Sequence, residues 1–285
     1  MIDMKYVYVV ILFFLISCSV EGVKKNKDER AKLKEIKSDL KQTFSSNKTL
    51  IPTKIQAEKK FPNGLKIKWF KHGSGDYVKN EDVIQINYQV FLEDGTLVDG
   101  NELLAKSSLP FLVGFGLQTK GWDLALKSLR VGDFVEIFLP SKLARGKKGI
   151  KGLIPPNSIN IIRLKILEKR KPTKIIDGIK VWLLEENKEE SKYANQNNEV
   201  EFHYMVGTPS NPKYDISYRR NTPYKLRFND KGIISGLKKA LLNTKRSDKL
   251  WLVVPSNEAY GSKGFLDLVK PNEKVFYDIF ILEVF

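Results

Sequence analysis

Apolar and polar side chains alternate in several short stretches of the chain, a pattern typical of strands that bury one face. In the first half of the folded region these stretches are Ile84, Ile86, Tyr88 and Val90; Val135, Ile137 and Leu139; and Ile162, Leu164 and Ile166. Between them the spacing changes to i, i+3, i+4 and i+7 at Trp122, Ala125, Leu126 and Leu129. This second spacing predicts one short helix with a single buried face.

The second half repeats the pattern. Strand-like alternation returns at Val200, Phe202, Tyr204 and Val206, a helix is predicted within 233–242, and strands are predicted at 250–255 and 275–285. Matching residues are separated by a constant 115 or 116 positions: Tyr88/Tyr204, Asp99/Asp215, Gly121/Gly236, Pro140/Pro255, Gly146/Gly261 and Pro156/Pro271. A constant offset indicates a duplicated domain. We therefore predict two α+β domains at 61–170 and 173–285, each with several mostly antiparallel strands and one helix.

The N-terminus carries an apolar run from Tyr6 to Ser17 behind Lys5. The run is shorter than the roughly 20 residues that cross a bilayer, so it is interpreted as a signal peptide at 1–17. Its end, Leu15-Ile16-Ser17-Cys18, resembles the bacterial lipobox, which implies acylation of Cys18 (for example by palmitate). The resemblance, with Ser19 next, implies a lipoprotein of the bacterial envelope, in the outer membrane and facing the periplasm. An uncleaved anchor is the alternative, and with a single cysteine the chain can form no internal disulfide.

Residues 18–60 are predicted to be a charged tether. Leu33, Ile36, Leu40 and Phe44 fall at helical spacing among lysines, which indicates a short surface helix or a linker. Pairing between protomers and contact with anionic headgroups remain open as alternatives. The oligomeric state does not follow from the sequence.

The net charge of +16 over 285 residues favours anionic partners, although a lysine-rich composition alone produces it. The sequence contains no recognisable nucleic-acid module, Walker loop or zinc-ligand spacing, so neither a nucleic-acid partner nor a metal is expected. His72 and His203 cannot form a metal cluster with a single cysteine, and His203 is interpreted as structural.

One ordered series of residues carries a more specific signal. It consists of Tyr88, Gly95, Asp99, Gly114, Gly121-Trp122, Val131-Gly132-Asp133, Pro140, Leu143-Ala144, Gly146, Gly152 and Leu153-Ile154-Pro155-Pro156-Asn157. This series resembles the FKBP family of peptidyl-prolyl isomerases over about 62–170, and a more divergent copy follows. The resemblance implies a curved five-stranded antiparallel sheet around one short helix in each domain. It also implies a pocket that needs no cofactor.

In the first domain the resemblance implies catalytic roles for Tyr88, Asp99, Trp122 as the pocket floor, and Ile154. Five further positions would line the substrate site, although each departs from the family pattern: Val98 and Leu109 replace aromatic residues, Thr119 replaces a branched apolar residue, Arg145 replaces a tyrosine, and Ile162 replaces a phenylalanine.

The second domain departs from the pattern in other places. The implied catalytic residues are Tyr204, Asp215, Tyr260 and Tyr277, and the implied substrate-binding residues are Tyr214, Tyr224, Ile234, Leu237 and Val269, with Arg220 also kept. Leu237 stands where the floor tryptophan is expected, and Lys270 interrupts the proline pair. A leucine floor can still seat a proline ring.

The sequence therefore favours a peptidyl-prolyl cis-trans isomerase that acts on proline-containing polypeptide clients of the envelope. The alternative is an FKBP-like binding or chaperone module with weak or no catalysis. The loop 145–151 carries four cations, which favours acidic partners on that alternative, although an ordinary solvated loop is the simpler explanation of them.

Overall fold

The computed structural model describes residues 54–104, 106–189 and 191–285, so the predicted signal peptide, Cys18 and most of the predicted tether lie outside it. The chain forms two compact units, and the main boundary between them falls after Glu168. Among the described residues, no helix has the length and apolar character needed to cross a membrane.

Within residues 54–104 and 106–168, the first unit is built on one sheet and one α-helix. Its elements are β1 (Ala57–Lys60), β2 (Lys66–Lys71), β3 (Val83–Phe91), β4 (Leu97–Gly100), β5 (Leu109–Leu112), α1 (Lys120–Leu126), β6 (Phe134–Leu139) and β7 (Asn160–Arg170). The strands are ordered β1-β2-β6-β7-β3-β4, and β5 also pairs with β3. Short 3-10 turns lie at Glu102–Leu104 and Ser141–Leu143.

The second unit repeats this topology. It contains β8 (Lys174–Ile176), β9 (Ile179–Glu185), β10 (Glu199–Gly207), β11 (Asp215–Ile216), α2 (Ser217–Arg220), β12 (Tyr224–Arg227), α3 (Ser235–Leu241), β13 (Lys249–Val254) and β14 (Val275–Val284). The order is β11-β10-β14-β13-β9-β8, with β12 pairing β10. The α+β class and the duplication predicted from the alternating pattern are therefore confirmed.

The number of strands differs from the expectation. Each sheet has seven strands rather than five. One extra strand is the edge strand, β1 or β8, and another arises because two short strands share one long partner, as β4 and β5 do along β3. β1 is mostly exposed and polar, so it has no apolar alternation that could reveal it. Because Ala57 pairs with Trp69 and Lys60 with Lys66, the last four residues of the predicted 18–60 tether belong to the sheet.

The helix covers one face of each sheet. In the second unit, Leu237, Ala240 and Leu241 of α3 are buried against strand residues of the same core. Those strand residues include Val200, Phe202, Leu250, Leu252, Ile279 and Ile281. In the first unit, α1 buries Trp122, Ala125 and Leu126. The predicted helical spacing therefore identified the face that packs.

A buried carboxylate fixes the turn after the helix in each unit. Asp133 is 1% exposed and accepts hydrogen bonds from Trp69 Nε1 (3.1 Å), Gly73 N (2.7 Å) and Arg130 N (2.9 Å). Asp248 occupies the matching position and accepts from Asn187 N at 2.9 Å and Lys245 N at 2.8 Å. Each carboxyl group thus satisfies backbone N–H groups of the turn that would otherwise be left without a partner. The Val-Gly-Asp motif is therefore structural.

His203 is also structural, in agreement with its interpretation from the sequence. Its Nδ1 lies 3.0 Å from Ser217 Oγ, and its ring stacks on Tyr218 with centroids 4.2 Å apart. Partial burial lowers the pKa of His203 below its ordinary value. The Ser217 hydroxyl is also used in structural hydrogen bonds, since it accepts from the backbone N–H of Tyr204 and donates to the Tyr204 carbonyl.

One glycine in each helix, Gly121 in α1 and Gly236 in α3, lets the helix backbone approach the segment that follows β6 or β13. A Cβ added at Gly121 would lie 2.7 Å from the carbonyl oxygen of Leu143, and one at Gly236 would lie 2.9 Å from that of Glu258. Real Cβ atoms do not approach backbone so closely, so only glycine permits this contact. The residue after each glycine, Trp122 or Leu237, is thereby set beside the loop.

We predict that Leu126→Ala lowers the free energy of unfolding of the first unit by about 2–5 kcal/mol, because it leaves a cavity under a side chain that is 0% exposed. Leu124→Ala on the same helix is the matched control. Leu124 is 39% exposed, so its truncation should change stability by less than about 0.5 kcal/mol. Urea unfolding of the full chain, followed by tryptophan fluorescence, measures both. Equal losses would contradict the packing described here.

Candidate functional site

The first candidate site is organised around a tyrosine–aspartate hydrogen bond. Tyr88 and Asp99 lie on the paired strands β3 and β4, and the Tyr88 hydroxyl donates to Asp99 Oδ1 at 3.2 Å. The backbone N–H of Gly100 donates to the same oxygen at 2.8 Å. The Tyr88 ring meets Trp122 edge-on, with centroids 5.3 Å apart and planes at 86°. The structure therefore brings three of the four predicted catalytic residues of this unit together.

Burial dominates the electrostatics of this carboxylate. It raises the pKa of Asp99 above its ordinary value, although the hydrogen bonds from Gly100 and Tyr88 and the positive charge of Arg145 oppose the shift. Burial also raises the pKa of Tyr88 well above its ordinary value, and the neighbouring Asp99 adds to that effect. The tyrosine hydroxyl therefore stays protonated and remains a donor.

The floor includes an aromatic residue that the sequence analysis missed. Phe111 stacks on Trp122, with centroids 5.5 Å apart and planes at 16°. Phe111 follows Leu109 by two positions on β5, so a strand-like spacing from the predicted site residue could have revealed it. Phe111 therefore supplies an aromatic ring near the position where Leu109 replaces the aromatic residue of the family pattern.

Much of the first site is covered by its own side chains. Trp122 and Ile154 are each 6% exposed, and Tyr88 is 2% exposed. Ile162 is 0% exposed and pairs with Ile137 between β7 and β6. Ile162 is therefore a core residue here rather than a substrate contact, because it offers no surface. Val98, which is 3% exposed, is likewise packed in the core.

The reachable surface comes from four partly buried predicted residues: Asp99, Leu109, Thr119 and Arg145. Arg145 donates from Nη2 to Gln118 Oε1 at 2.9 Å, which holds the guanidinium beside the start of α1. Thr119 precedes α1 without capping it, and its Oγ1 is buried with no hydrogen-bond partner among the described residues. A polar group of this kind can bond a ligand that reaches it.

The second candidate site contains the same pair with an added cation. Tyr204 donates its hydroxyl to Asp215 Oδ2 at 2.5 Å. Arg220, at the end of α2, forms an ion pair with Asp215 and donates from Nη2 to the Tyr204 hydroxyl at 3.1 Å. In the first unit the position matching Arg220 is occupied by Leu104, a difference that the 116-residue offset makes visible in the sequence.

The arginine reverses the direction of the aspartate's pKa shift. Partial burial raises the pKa of Asp215, but hydrogen bonds from Arg220 and Tyr204 and the charge of Arg220 outweigh it, so the pKa lies below its ordinary value. Burial, followed by the contact with Asp215, raises the pKa of Tyr204 to about 12. The pKa values of the two matching carboxyl groups are therefore shifted in opposite directions.

Tyrosine hydroxyls surround the second site. Burial raises the pKa of Tyr214 and of Tyr277, and the neighbouring Tyr260 adds to the shift of both. Tyr204 lies 6.4 Å from both Tyr224 and Tyr277 between ring centroids. The structure therefore brings all five predicted tyrosines of this unit into one cluster, and it packs them over an apolar core.

The floor of the second site is aliphatic, as the sequence predicted. Leu237 is 5% exposed and Val269 is 2% exposed, while Ile234 is partly buried and packs against the same core. Tyr204, Tyr214 and Tyr260 keep more surface, and Tyr224 is 36% exposed. The second site is therefore more open than the first and richer in hydroxyl groups.

Neither site has the donors for a metal. Among residues 54–104, 106–189 and 191–285, no three His, Cys, Asp or Glu side chains are grouped so that they could hold one. The grouped residues are instead aromatic rings, hydroxyls and one carboxylate per site. Such a set can bind an apolar ring and donate hydrogen bonds to carbonyl groups.

Comparison with known proteins agrees with this description. The profile of the family described as FKBP-type peptidyl-prolyl cis-trans isomerase matches residues 75–167 and 190–282. Mouse (Mus musculus) peptidyl-prolyl cis-trans isomerase FKBP10 is 24% identical over 211 residues, which cover 73% of this chain and 35% of that protein. Peptidyl-prolyl cis-trans isomerase Mip of Coxiella burnetii is 31% identical over 113 residues, covering 40% of this chain and 48% of Mip.

The crystal structure of the three FKBP domains of wheat FKBP73 covers 79% of this chain and 96% of that chain, with 24% identity and a TM-score of 0.39. The chain spans about a third of the length of curated relatives such as FKBP10. The two ranges matched by the family profile together make up more than half of the sequence. This chain therefore belongs to the FKBP-type peptidyl-prolyl cis-trans isomerase family.

Proposed function

We propose that this protein accelerates cis-trans isomerisation of X–Pro bonds in polypeptide clients. The observation that carries the proposal is the tyrosine–aspartate hydrogen bond beside an apolar floor, present in both units at matching positions. A residue pair that is repeated while much of the surrounding sequence differs is hard to attribute to packing alone. Membership of the isomerase family supports the same conclusion.

The chemistry follows from the amide bond itself. Rotation about an X–Pro bond has a barrier of about 18–20 kcal/mol, because resonance favours the planar forms. Twisting the bond removes resonance and reduces charge separation, so a site with little water favours the twisted form relative to solution. Trp122 or Leu237 would contact the proline ring, and neighbouring hydroxyl groups would hold the peptide carbonyls. The reaction needs no nucleophile and no cofactor.

The second unit is the better candidate for the larger share of activity. Its tyrosines keep exposed surface and carry hydroxyl donors, and Tyr260 stands where the first unit has Arg145. Both floors are nearly covered, since Trp122 is 6% and Leu237 is 5% exposed, so the difference lies in the hydroxyl groups around them. We therefore propose that both units bind proline and that the second contributes most of the catalysis.

We predict that the full chain speeds proline-limited refolding of a test protein at micromolar concentration. Tyr260→Phe removes one hydroxyl and should lower kcat/KM about three- to tenfold, the effect of one hydrogen bond made in the transition state. Trp122→Leu, which copies the floor of the second unit, should cause a smaller loss. The double variant should retain little activity. Refolding rates measured at several enzyme concentrations give these values.

Tyr193→Phe is the control, because Tyr193 is 56% exposed and lies outside both sites. It should leave the rate unchanged. The isomerase proposal fails if the wild-type chain gives no acceleration. If the same chain then suppresses aggregation of the test protein, the second candidate function, a binding or chaperone module, is favoured. Arg145 supports that alternative, because it replaces a hydroxyl with a guanidinium at the first site.

We predict opposite stability effects from Asp99→Asn and Asp215→Asn. The raised pKa of Asp99 means that folding favours its protonated form, so stability is lost as the pH rises through that pKa. Asp99→Asn should therefore stabilise the protein near neutral pH, since an amide oxygen can accept the same bonds. The lowered pKa of Asp215 means that its stabilisation is present at neutral pH and is lost as the pH falls through that pKa. Asp215→Asn should therefore destabilise the protein near neutral pH.

Both differences should shrink towards about pH 3 or lower, where the carboxyl groups become protonated. Denaturant unfolding at neutral and acid pH measures the effects, and Asp267→Asn, on an exposed loop residue, controls for the substitution itself. Changes of the same sign at Asp99 and Asp215 would contradict the electrostatic contrast between the sites.

We further propose that the protein is a lipoprotein of the bacterial envelope, anchored at the outer membrane and facing the periplasm, where it assists folding of secreted proteins. The proposal rests on the apolar run 6–17 and on Leu15-Ile16-Ser17-Cys18. Residues 19–56, which precede β1, would give the folded units reach from the bilayer.

We predict that Cys18→Ser releases the protein from the membrane fraction of a bacterial host, because acyl chains supply the anchoring free energy. Mass spectrometry of the N-terminal peptide should show diacylglycerol and amide-linked acyl groups on Cys18. Ser17→Ala keeps the small residue before the cleavage site and should leave fractionation unchanged. An unmodified Cys18 in a protein that still begins at Met1 would rule the proposal out.

A further inference from the structure

The loop bordering each site has the same backbone design. It runs from Arg145 to Ile154 in the first unit and from Tyr260 to Val269 in the second, and both ends are site residues. The N–H of Gly149 bonds the Arg145 carbonyl at 3.2 Å, and the N–H of Gly264 bonds the Tyr260 carbonyl at 3.1 Å.

A second set of matching bonds closes both loops. Bridges pair Ile150 with Ile154 and Phe265 with Val269. Asn157 and Asn272, just after each loop, donate to the carbonyls of Gly146 and Gly261 at 2.9 Å. The two loops can therefore be compared, although the positive φ near the tip falls at Gly152 in the first loop and one place earlier, at Leu266, in the second.

The side chains of the first loop are cationic. It carries Arg145, Lys147, Lys148 and Lys151 and no acidic residue, so its formal charge is +4. The three lysines are exposed, and Arg145 is close enough to Asp99 to influence its ionisation. Cations clustered on one loop add their fields and attract negatively charged ligands.

The side chains of the second loop are neutral overall and apolar at the tip. Lys263 and Asp267 cancel, while Phe265 and Leu266 are 41% and 80% exposed. The Phe265 ring stacks on Tyr260 with centroids 4.8 Å apart, which joins the exposed tip to the tyrosine cluster. Leu266 has φ +46°, a conformation uncommon for a residue with a bulky side chain. An exposed leucine held in this way is more typical of a contact surface than of packing.

We propose that the two sites select different residues next to the proline: the first site takes an acidic flank through Arg145 and the loop lysines, and the second takes an apolar or aromatic flank through Phe265 and Leu266. This proposal rests on the prolyl-isomerase function proposed above. One chain would thereby handle two classes of client segment. A single site cannot favour both a charged and an apolar neighbour, because each environment disfavours the other's partner.

The test uses the full ¹⁵N-labelled chain and two short peptides that differ only in the residue before proline, glutamate or leucine. The amide signals of Gly146, Gly149 and Gly152 report on the first loop, and those of Gly261 and Gly264 on the second. We expect the glutamate peptide to shift the first group and the leucine peptide to shift the second. Raising the salt concentration should weaken only the glutamate peptide, because exposed charges are screened.

Substitutions identify the residues responsible. Lys147→Ser, Lys148→Ser and Lys151→Ser together should weaken binding of the glutamate peptide about tenfold, the combined effect of three exposed charges. Lys71→Ser, Lys127→Ser and Lys165→Ser remove the same charge from exposed positions elsewhere in the first unit and should have little effect. Leu266→Gly should weaken the leucine peptide several-fold without loss of stability, because glycine accepts the positive φ.

The outcomes separate this inference from the isomerase proposal. If the chain catalyses isomerisation but both loops respond equally to both peptides, the selectivity proposal is wrong and the isomerase function stands. If there is neither isomerisation nor any peptide-induced shift, both are wrong. If vesicles of anionic lipid shift the first loop and the glutamate peptide does not, the lysines bind headgroups, and the selectivity proposal is again overturned.

Discussion

Both sites depend on a close contact between a helix and the short 3-10 turn that follows β6 (Ser141–Leu143) or β13 (Ser256–Glu258). Only a glycine on the helix permits this contact. Gly121 and Gly236 let the backbone of α1 and α3 reach the carbonyls of Leu143 and Glu258 without a Cβ between them. The next residue on each helix is the floor of the site, and the residues just beyond each turn begin the bordering loop. One close approach therefore sets the distance between floor and loop, and a larger residue at either glycine would separate them.

On this shared frame the two units place positive charge differently. The second unit has Arg220 against Asp215 and a neutral tyrosine at 260. The first has Leu104 at the arginine position and Arg145 at the tyrosine position. Arg220 is paired with Asp215, and its charge helps to lower the pKa of that carboxyl group. Arg145 lies at one end of the loop that borders the first site, where its charge adds to that of the loop lysines. Burial raises the pKa of Asp99, and the charge of Arg145 opposes this shift without cancelling it.

The sequence predicted the elements that bury an apolar face, and it predicted the duplication. The resemblance also pointed to Tyr88, Asp99 and Trp122, which the structure brings into contact, while their catalytic roles stay predictions. The edge strand β1 was not predicted, because its residues are mostly exposed and polar and its pairing with β2 is made by the backbone. Ile162 lies in the core and its substrate contact stays a prediction, since a strand pattern shows that a residue points inwards but not whether a ligand can reach it. Phe111 could have been found from its two-residue spacing to Leu109 on β5, but its stacking on Trp122 depends on how β5 and α1 pack together.

The edges of the two sheets bear on the behaviour of the protein at high local concentration. A sheet edge with unpaired backbone groups can template association with another copy. Here β1 is four residues long and carries Lys59 and Lys60, β4 has four residues, and β8 and β11 have three and two. Such brief edges, partly charged, give a neighbouring molecule too few hydrogen bonds to propagate a ladder. Copies gathered on one surface would therefore resist fibril formation.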